Sequence, residues 1–385
     1  MANGAPDSDA RATGAGGAAQ VAWRELLGVL RDADQSFLDP ARGDFDELEI
    51  ADGYRNLTSV LTFAYGMYMR VDRDWPIFLP SPKDPPGEMR LGEHPDVEYR
   101  WAAIRGDRRY CIKGRRGDEA YLSFTAHGGL RGSGLQQRFD GHVNHHDLTT
   151  DDDGRFEILV AAEPPDDPRV AWLSISPEVN EIYARAYHLD IERDRRAEYT
   201  IEPLDAVTPV TFDSLEVAER LRQMTNAVRD VTLAMPQPLT NPNVMGETWT
   251  LDGTGPSRMW TALDNTYSRG VFRLEPDQAL LLEGTVVPCD HWSVQLWSPF
   301  LASGDYRRNR VSVNHAQATL GPAGEFRVAV TTRDPEIPGL DFVSTDGGRQ
   351  GTFVVRWMCP QEPPPAPTCR LVDLADLADL ADLKV

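Results

Sequence analysis

Alternation of apolar and polar residues near the C-terminus is the feature that most restricts the fold of this chain. Residues 291–297 read His-Trp-Ser-Val-Gln-Leu-Trp, and the stretches 310–316 and 326–331 alternate in the same way. Successive side chains of a β-strand point to opposite faces, so a period of two predicts strands with one apolar and one polar face. We therefore expect a sheet that buries its apolar face, while its polar face lies in water or lines a cleft.

Turn signals between these strands predict an antiparallel β-domain over residues 257–372. Gly-Pro-Ala-Gly at 321–324 and Asp-Gly-Gly at 346–348 are two of them. Several short strands at close intervals are typical of a β-sandwich or jelly roll. A short helix is predicted at Ser257–Tyr267, before the first of these strands.

Four other segments predict helices, so the fold class is α+β, with a helical N-terminal segment and a β-rich region before the C-terminal β-domain. Apolar residues recur at helical spacing in Val21–Phe37 and Leu48–Met69. Asp213 and Glu216 form a capping box for a further helix. Ser-Pro-Glu at 176–178 predicts a helix start, which we expect to run to about His188.

The predicted organisation has five parts. They are a disordered tail at 1–18, a mixed α+β domain at 19–205, a helix and linker at 206–256, a jelly-roll-like β-domain at 257–372 and a low-complexity tail at 373–385. The main boundary is placed in the loop-like segment 236–256, which is rich in Pro, Asn, Gly and Thr.

The acidic balance excludes two classes of partner. The chain has 60 acidic and 39 basic residues, and its net charge of -21 repels nucleic acid and anionic membranes. We find no signal peptide and no apolar run long enough for a membrane span, so we expect a cytoplasmic protein. Its four cysteines form no CxxC pair and are expected to be free thiols.

The densest cluster of polar residues is the segment His-Val-Asn-His-His-Asp at 142–147. Histidine and aspartate serve in acid–base catalysis and bind divalent metals. We therefore name His142, His146 and Asp147 as candidates for acid–base or metal chemistry, with a divalent metal as the cofactor to test. The alternative is a polar loop before the acidic turn at 151–153.

A second set of candidates lies on the polar side of the β-domain. Arginine binds carboxylate, phosphate and sulfate bidentately. Arg356 is the most informative candidate, because it stands between Val354 and Met358 on one strand face and needs a partner if it is buried. That partner is either an anionic ligand or a carboxylate such as Asp334 or Asp341. The predicted ligand-binding residues are Gln295, Arg310, Asn314, His315, Arg333 and Arg356.

Tyr267 forms a third candidate, beside Asp264 and Asn265. Its phenol group could act as an acid or as a hydrogen-bond donor to a ligand, and the alternative is packing in the core. We find no GxSxG nucleophile elbow, Walker A motif or HExxH motif that would indicate a known reaction.

Several stretches resemble a known family. They are HWSVQLWSPF at 291–300, DYRRNRVSVNHAQ at 305–317, GEFRVAVTTRDPEIPG at 324–339, GTFVVRW at 351–357, and the segments 93–129 and 141–158. Together they resemble proteins that carry the domain of unknown function numbered 1214, often with a related N-terminal domain numbered 1254. The resemblance spans about residues 20–372 and implies two domains with a C-terminal jelly-roll-like β-domain. It implies no general activity, and Gly-Leu-Asp-Phe at 339–342 stands where the family often has Asn-Trp-Leu-Asp.

These observations favour an enzyme of lipid or secondary (terpenoid- or aromatic-type) metabolism. Its substrate is expected to be a small, partly apolar, anionic molecule bound between the N-terminal domain and the β-domain. The alternatives are a non-catalytic β-sandwich protein that binds carbohydrate or lipid, and a scaffolding protein without a pocket.

Overall fold

The structure is a computed structural model that describes residues 15–36, 39, 43–81, 92–128, 136–207, 213–234, 239–250, 257–258, 263–377 and 379. The mixed α+β class predicted from the sequence is confirmed. β-Sandwiches form both halves of the chain, where the sequence had predicted one for the C-terminal part. No helix in the described ranges is both long and apolar enough to cross a membrane. Residues 1–14 of the predicted tail lie outside these ranges.

Three helices lie in the described ranges: α1 (Ala15–Ser36), α2 (Glu47–Tyr68) and α3 (Ser214–Arg229), which a π-helical turn extends to Ala234. Helix α1 begins inside the segment predicted as a disordered tail. Gly16 and Gly17 disfavour helix there, and packing of Ala18 and Ala22 against the other helices outweighs this local preference.

Capping residues begin α2 and α3. Asp46 Oδ1 accepts the Glu49 N–H at 2.9 Å, and the Glu49 side chain accepts the Asp46 N–H at 3.0 Å. Asp213 caps α3 by accepting two backbone N–H groups, as the motif predicts. The apolar faces of the helices pack on each other and on one sheet of the first sandwich, which removes both surfaces from water.

The N-sandwich is the first of two sandwiches. Its strands are β1 (Leu79–Pro80), β2 (Val97–Ala103), β3 (Tyr110–Arg115), β4 (Tyr121–Gly128), β5 (Gln136–Asn144), β6 (Arg155–Ala161), β7 (Ala171–Ser174), β8 (Glu181–Tyr187), β9 (Glu198–Pro203) and β11 (Ser257–Arg258). Its core lies between two sheets and includes Ile112, Phe124 and Ile182.

The C-sandwich follows. Its strands are β10 (Val244–Thr250), β12 (Asn265–Arg273), β13 (Gln278–Thr285), β14 (His291–Trp297), β15 (Ser312–Asn314), β16 (Glu325–Thr331), β17 (Asp341–Ser344), β18 (Gln350–Met358) and β19 (Thr368–Asp373). The apolar residues of the alternating segments form its core, with Trp292, Val328 and Val355 among them.

The two sandwiches share one strand order. In the N-sandwich, one sheet has the order β2-β8-β4-β5, with β1 and β11 at its edges, and the other has β7-β6-β3-β9. In the C-sandwich, the corresponding orders are β12-β18-β14-β15, with β10 at the edge, and β17-β16-β13-β19. Each sandwich also has one parallel pair, β6–β7 or β16–β17. The strand order of the first sandwich is therefore repeated, ten strands later, in the second.

Strand β8 corrects the helix predicted at 176–188. The segment Ser-Pro-Glu forms a turn, and the following residues pair with β2 on one side and β4 on the other. The apolar side chains that alternate along β8 and enter the core are Ile182, Ala184 and Ala186. Pairing on both edges and burial of this face outweigh the helix-start signal.

Two further segments differ from the prediction. The predicted linker at 236–256 contains β10, and the helix predicted at 257–267 is replaced by β11 and the start of β12. β10 and β11 are edge strands, paired with β12 and β5. At the other end, Leu377 of the predicted low-complexity tail is buried against Leu281, because the chain after β19 folds back over the sheet.

The sandwiches pack against each other through one sheet each. We call β1-β2-β8-β4-β5-β11 the N-facing sheet and β10-β12-β18-β14-β15 the C-facing sheet. Hydrogen bonds such as Tyr121 Oη to Asp264 Oδ2 (2.8 Å) and Asn314 Nδ2 to Asp96 Oδ2 (2.9 Å) join them. The polar faces predicted for the strands of the β-domain therefore lie at the junction of the two sandwiches.

Candidate functional site

The junction between the facing sheets is a buried polar layer, which we call the interface layer. The polar residues at its centre are under 4% exposed, so this face of the sheet is not in water. Those used below include Ser123, Thr125 and Arg185 from the N-facing sheet, and His291, Ser293, Gln295, Asn314 and Arg356 from the C-facing sheet. A polar face in water, one of the two alternatives that the alternating pattern left open, is therefore wrong for these strands, and a ligand-binding role for this face stays a prediction.

Arg356 of β18 lies in this layer and is 3% exposed. It donates hydrogen bonds from Nη1 to Tyr187 Oη at 3.3 Å and from Nη2 to Gln295 Oε1 at 3.1 Å. The rings of Tyr267 and Trp297 flank it, with their centroids 5.8 and 5.6 Å from Cζ. Within the described part of the chain, Arg356 forms no ion pair and its Nε has no acceptor. Its hydrogen-bond partners are neutral, and the buried Asp96 carboxyl acts on it electrostatically without a hydrogen bond or an ion pair. A buried cation without a direct anionic partner is an unfavourable arrangement.

Four neighbours of Arg356 also carry buried polar atoms without a hydrogen-bond partner among the described residues. These atoms are both ring nitrogens of His291, Nε2 of His94, Oγ of Ser293 and Oδ1 of Asn265. Burial, and then nearby cationic groups including Arg356, hold the pKa of His94 and of His291 well below the ordinary value. Both imidazoles are therefore neutral at pH 7. His291 offers one donor and one acceptor, whereas His94, whose Nδ1 accepts the Asp96 N–H at 3.0 Å, offers the Nε2–H donor. Since buried polar atoms are normally paired, this cluster is suited to a polar guest.

The cross-strand row that contains Arg356 has an equivalent in the N-sandwich. In the C-facing sheet, the row across β12, β18, β14 and β15 is Tyr267, Arg356, Ser293 and Asn314. In the N-facing sheet, the row across β2, β8, β4 and β5 is Tyr99, Arg185, Ser123 and Asn144. The same residue types occur at the same register in equivalent strands, so the repeat extends from strand order to the side chains of the interface layer.

Asparagine–aspartate hydrogen bonds join the two rows reciprocally. Asn144 of the N-sandwich donates to Asp264 at 2.8 Å, and Asn314 of the C-sandwich donates to Asp96 at 2.9 Å. Each aspartate directly precedes an equivalent strand, β12 or β2. Burial raises the pKa of Asp96 to about 6, although Asn314 and Arg356 act to lower it. Equivalent positions thus hold carboxyl groups in different environments.

Asp264 is the more strongly hydrogen-bonded of the two aspartates. Its Oδ2 accepts hydrogen bonds from Tyr121 Oη (2.8 Å), Asn144 Nδ2 (2.8 Å) and His142 Nε2 (2.9 Å), the last assigned as the protonated nitrogen. Burial acts to raise the pKa of Asp264, but the hydrogen bonds from His142, Asn144 and Tyr121 outweigh it and lower the pKa to about 2. The carboxylate is therefore ionised at neutral pH.

His142 extends this network toward the centre of the layer. In the same tautomer, its Nδ1 accepts a hydrogen bond from Thr125 Oγ1 at 3.2 Å, and Thr125 accepts one from Arg185 Nη1 at 3.3 Å. A histidine held in one tautomer by a carboxylate is the arrangement that general base catalysis uses. His142 and Asp264 are thus a candidate acid–base pair.

His145, His146 and Asp290 form a group of side chains that could hold a metal. The Nε2 atoms of His145 and His146 lie 3.5 and 2.9 Å from Asp290 Oδ2. All three ligand atoms lie within 4.8 Å of one another. Burial, with help from Arg116, lowers the pKa of His145 to about 4 even though Asp290 opposes this, so its imidazole is neutral at pH 7.

The other predicted ligand-binding residues, Arg310, Arg333 and His315, make no contact with Arg356 among those found in the structure. Arg310 pairs with Asp341 at 3.1 Å, so this carboxylate is not the partner of Arg356. Arg333 is exposed, as is Asp334. His315 was also predicted to bind a ligand. In the structure its Nδ1 accepts the Trp292 N–H at 3.1 Å.

The segment 142–147 is divided by the end of β5. His142 enters the interface layer, whereas Asp147 is exposed and accepts the Asn144 N–H at 2.9 Å, which closes the turn. His146 is 58% exposed and contacts Asp290. Tyr267 lies in the layer, where burial raises the pKa of its phenol, and accepts a hydrogen bond from Asn265 at 2.6 Å.

Comparison with known proteins gives a family for part of the N-sandwich. Residues 98–190 match the family described as protein of unknown function (DUF1214). The resemblance to family 1214 inferred from the sequence is confirmed over these residues. The DUF1214 segment runs from β2 to just beyond β8 and contributes Arg185, Tyr187 and His142 to the interface layer. The C-sandwich, which repeats its strand order, lies outside the matched residues.

One solved structure shares the fold over nearly the whole chain. The crystal structure of an uncharacterized protein from Burkholderia cenocepacia matches with a TM-score of 0.82 and 26% identity, over 92% of this chain and 97% of that chain. The VPA0106 protein from Vibrio parahaemolyticus matches with a TM-score of 0.46 and 10% identity, over 82% of this chain and 98% of that chain. No curated protein matches the chain.

Proposed function

We propose that the protein binds a small organic anion between its two sandwiches, with Arg356 as the charged ligand. The observation that carries this proposal is the burial of Arg356 beside neutral acceptors alone, Tyr187 Oη and Gln295 Oε1. A buried guanidinium is stabilised when an anion supplies the missing charge and accepts its remaining N–H groups. The bidentate geometry of arginine suits a carboxylate or a phosphate.

The surroundings of Arg356 define the rest of the ligand. Trp297 and Tyr267 flank the guanidinium and offer flat apolar surfaces to a ring or an alkyl chain. His291 and Ser293 supply neutral donors or acceptors that would fix its orientation. The net charge of -21 disfavours a polyanion, so the ligand is a small, partly apolar carboxylate or phosphate.

An enzyme of lipid or secondary metabolism that acts on this anion is the second candidate. His142 and Asp264 supply an acid–base pair, and Tyr121 links the pair to the Arg356 site. The rings of Tyr121 and Tyr187 lie 5.6 Å apart, and Tyr187 in turn contacts Arg356.

A thermal-shift screen with benzoate, inorganic phosphate and geranyl monophosphate tests anion binding. We expect at least one of these anions to raise the melting temperature of the wild type and of Arg333→Met, the exposed control. Arg356→Met should weaken that binding about 100-fold, since two charge-assisted hydrogen bonds contribute about 3 kcal/mol. Equal shifts in wild type and Arg356→Met would reject the site.

Turnover separates the two candidates. Anions that stabilise the wild type are incubated with wild type and with His142→Gln, and products are followed by mass spectrometry. Conversion by the wild type, lost in His142→Gln while the thermal shift persists, supports an enzyme. Binding without conversion supports a non-catalytic binding protein, which is the alternative inferred from the sequence.

A further inference from the structure

We propose that His145, His146 and Asp290 bind a divalent transition-metal ion that links the N-sandwich to the C-sandwich. The histidines follow β5 and the aspartate precedes β14, so such an ion would join the two sandwiches directly. This proposal is independent of the anion site at Arg356.

The distances between the three side chains suit a metal. A tetrahedral ion with bonds of about 2.0–2.1 Å holds its ligand atoms about 3.3 Å apart, and octahedral neighbours lie slightly closer. His145 and His146 Nε2 lie 3.5 and 2.9 Å from Asp290 Oδ2, which brackets these values. Two imidazoles and one carboxylate, with further positions open to water, form a donor set that Zn²⁺, Co²⁺ and Fe²⁺ accept.

Hydrogen bonds hold the two imidazoles on one side of the chain. Consecutive residues of a strand would point to opposite faces, but β5 ends at Asn144 and a turn begins there. Asn144 Oδ1 accepts the His146 N–H at 2.8 Å, and the backbone of Leu122 accepts the His145 N–H at 2.8 Å. The imidazole centroids are consequently 3.9 Å apart. His146 alone is enough to hydrogen-bond Asp290. The second imidazole, that of His145, is therefore not required for this contact between the sandwiches.

Asp290 is positioned from the opposite sandwich. Its N–H donates to the backbone oxygen of Met358 at 2.9 Å. The following Cys359 has a left-handed φ of 47° and places its thiol near the carboxylates of Asp264 and Asp290. A non-glycine residue rarely adopts this conformation, and such residues cluster at functional sites.

The equivalent place in the other half of the repeat lacks these ligands. His315 matches His145, because its N–H donates to Trp292 of β14 as that of His145 donates to Leu122 of β4. Ala120 matches Asp290, because its N–H donates to the backbone of Tyr187 at the end of β8. The residue after His315 is Ala316, so alanines stand where two of the three ligands would be. The three ligands therefore do not follow from the repeated fold.

Metal titration of the full chain tests the site. Protein stripped with EDTA is titrated with Zn²⁺ by calorimetry and with Co²⁺ by visible absorption. We expect one ion per chain with a Kd below about 10 µM and a rise in melting temperature. His146→Ala and Asp290→Asn should each weaken binding about 100-fold or more. His146 is 58% exposed, so its substitution leaves the fold intact.

His315→Gln is the matched control, since it removes the equivalent histidine of the other half. It should bind Zn²⁺ as the wild type does. Absence of Zn²⁺ and Co²⁺ binding by the wild type, or equal affinities in wild type, His146→Ala and Asp290→Asn, would overturn the proposal. Anion-dependent thermal shifts of the stripped protein report on Arg356 separately, so the two proposals fail independently.

Discussion

The two sandwiches share a strand order and a row of interface residues, yet their equivalent side chains have different partners. Arg185 donates to Thr125 and lies over the ring of Tyr183 at 4.6 Å, within the network that leads to Asp264. Arg356 has only Tyr187 and Gln295 as hydrogen-bond partners in the described part of the chain. A repeated fold therefore provides two similar buried positions, and the surrounding side chains make them chemically distinct.

The aspartates of the reciprocal links differ in the same way. Asp264 is ionised and accepts hydrogen bonds from Tyr121, Asn144 and His142, whereas Asp96 is buried with fewer donors and has a raised pKa. We infer that the ionised carboxylate of Asp264 fixes a negative charge at this edge of the interface layer. The centre near Arg356 is built around fixed positive charge, and this contrast can be tested one substitution at a time.

Replacement of Asp264 should have the largest effect. Asp264→Asn removes the charge that His142, Asn144 and Tyr121 hydrogen-bond, and places an amide N–H among donors. We expect the free energy of unfolding at pH 7 to fall by about 2–4 kcal/mol, measured by urea denaturation. A loss below about 0.5 kcal/mol, within the usual range for a surface substitution, would contradict the difference drawn here between the two aspartates.

Asp96→Asn should behave differently and depend on pH. Because the folded-state pKa of Asp96 is about 6, above the usual 3.8, the folded state binds this proton more tightly than the unfolded chain. The stability it contributes is full below pH 3.8 and is lost as pH rises through 6, a change of about 2–3 kcal/mol. The wild type should therefore lose stability relative to Asp96→Asn between about pH 4 and pH 6. A gain over that interval would mean that Asp96 is stabilised as an anion.

The tyrosines of the two rows should show the smallest difference. Tyr99 Oη accepts the backbone N–H of His94 at 3.0 Å, whereas Tyr267 Oη accepts a hydrogen bond from the side chain of Asn265. Tyr99→Phe leaves a buried amide unpaired and should cost about 1–3 kcal/mol, while Asn265 can reorient in Tyr267→Phe, which should cost about 1 kcal/mol or less. Equal costs in thermal unfolding would remove this distinction.

The alternating pattern predicted much of the C-sandwich from the sequence alone. It predicted β14 and β16 closely, and it singled out Arg356 as a residue that needs a partner if buried. It could not show that the polar face is covered, because the covering residues come from the N-sandwich, far away in the chain. The same limit hid Asp290 as a neighbour of His145, since that contact joins the two sandwiches.

The two halves of the internal repeat share only short sequence matches. Val-Asn-His occurs at 143–145 and at 313–315, and Asp-x-x-Tyr occurs at 96–99 and at 264–267. Matches of three or four positions are too brief to establish a repeat until strand register aligns them. Strand β8 shows the opposite case, in which a clear sequence signal was misleading. The helix start predicted at 176–178 did not form a helix, because the following residues pair with strands on both edges.

The anion site at Arg356 is tested most directly by a crystal structure of the protein soaked with 4-bromobenzoate. Our account predicts a bromine anomalous peak between the two sandwiches. A carboxylate oxygen should lie about 3 Å from the Arg356 guanidinium, and the ring should lie near Trp297 and Tyr267. Density for ordered water alone beside Arg356, or bromine found only elsewhere, would contradict it.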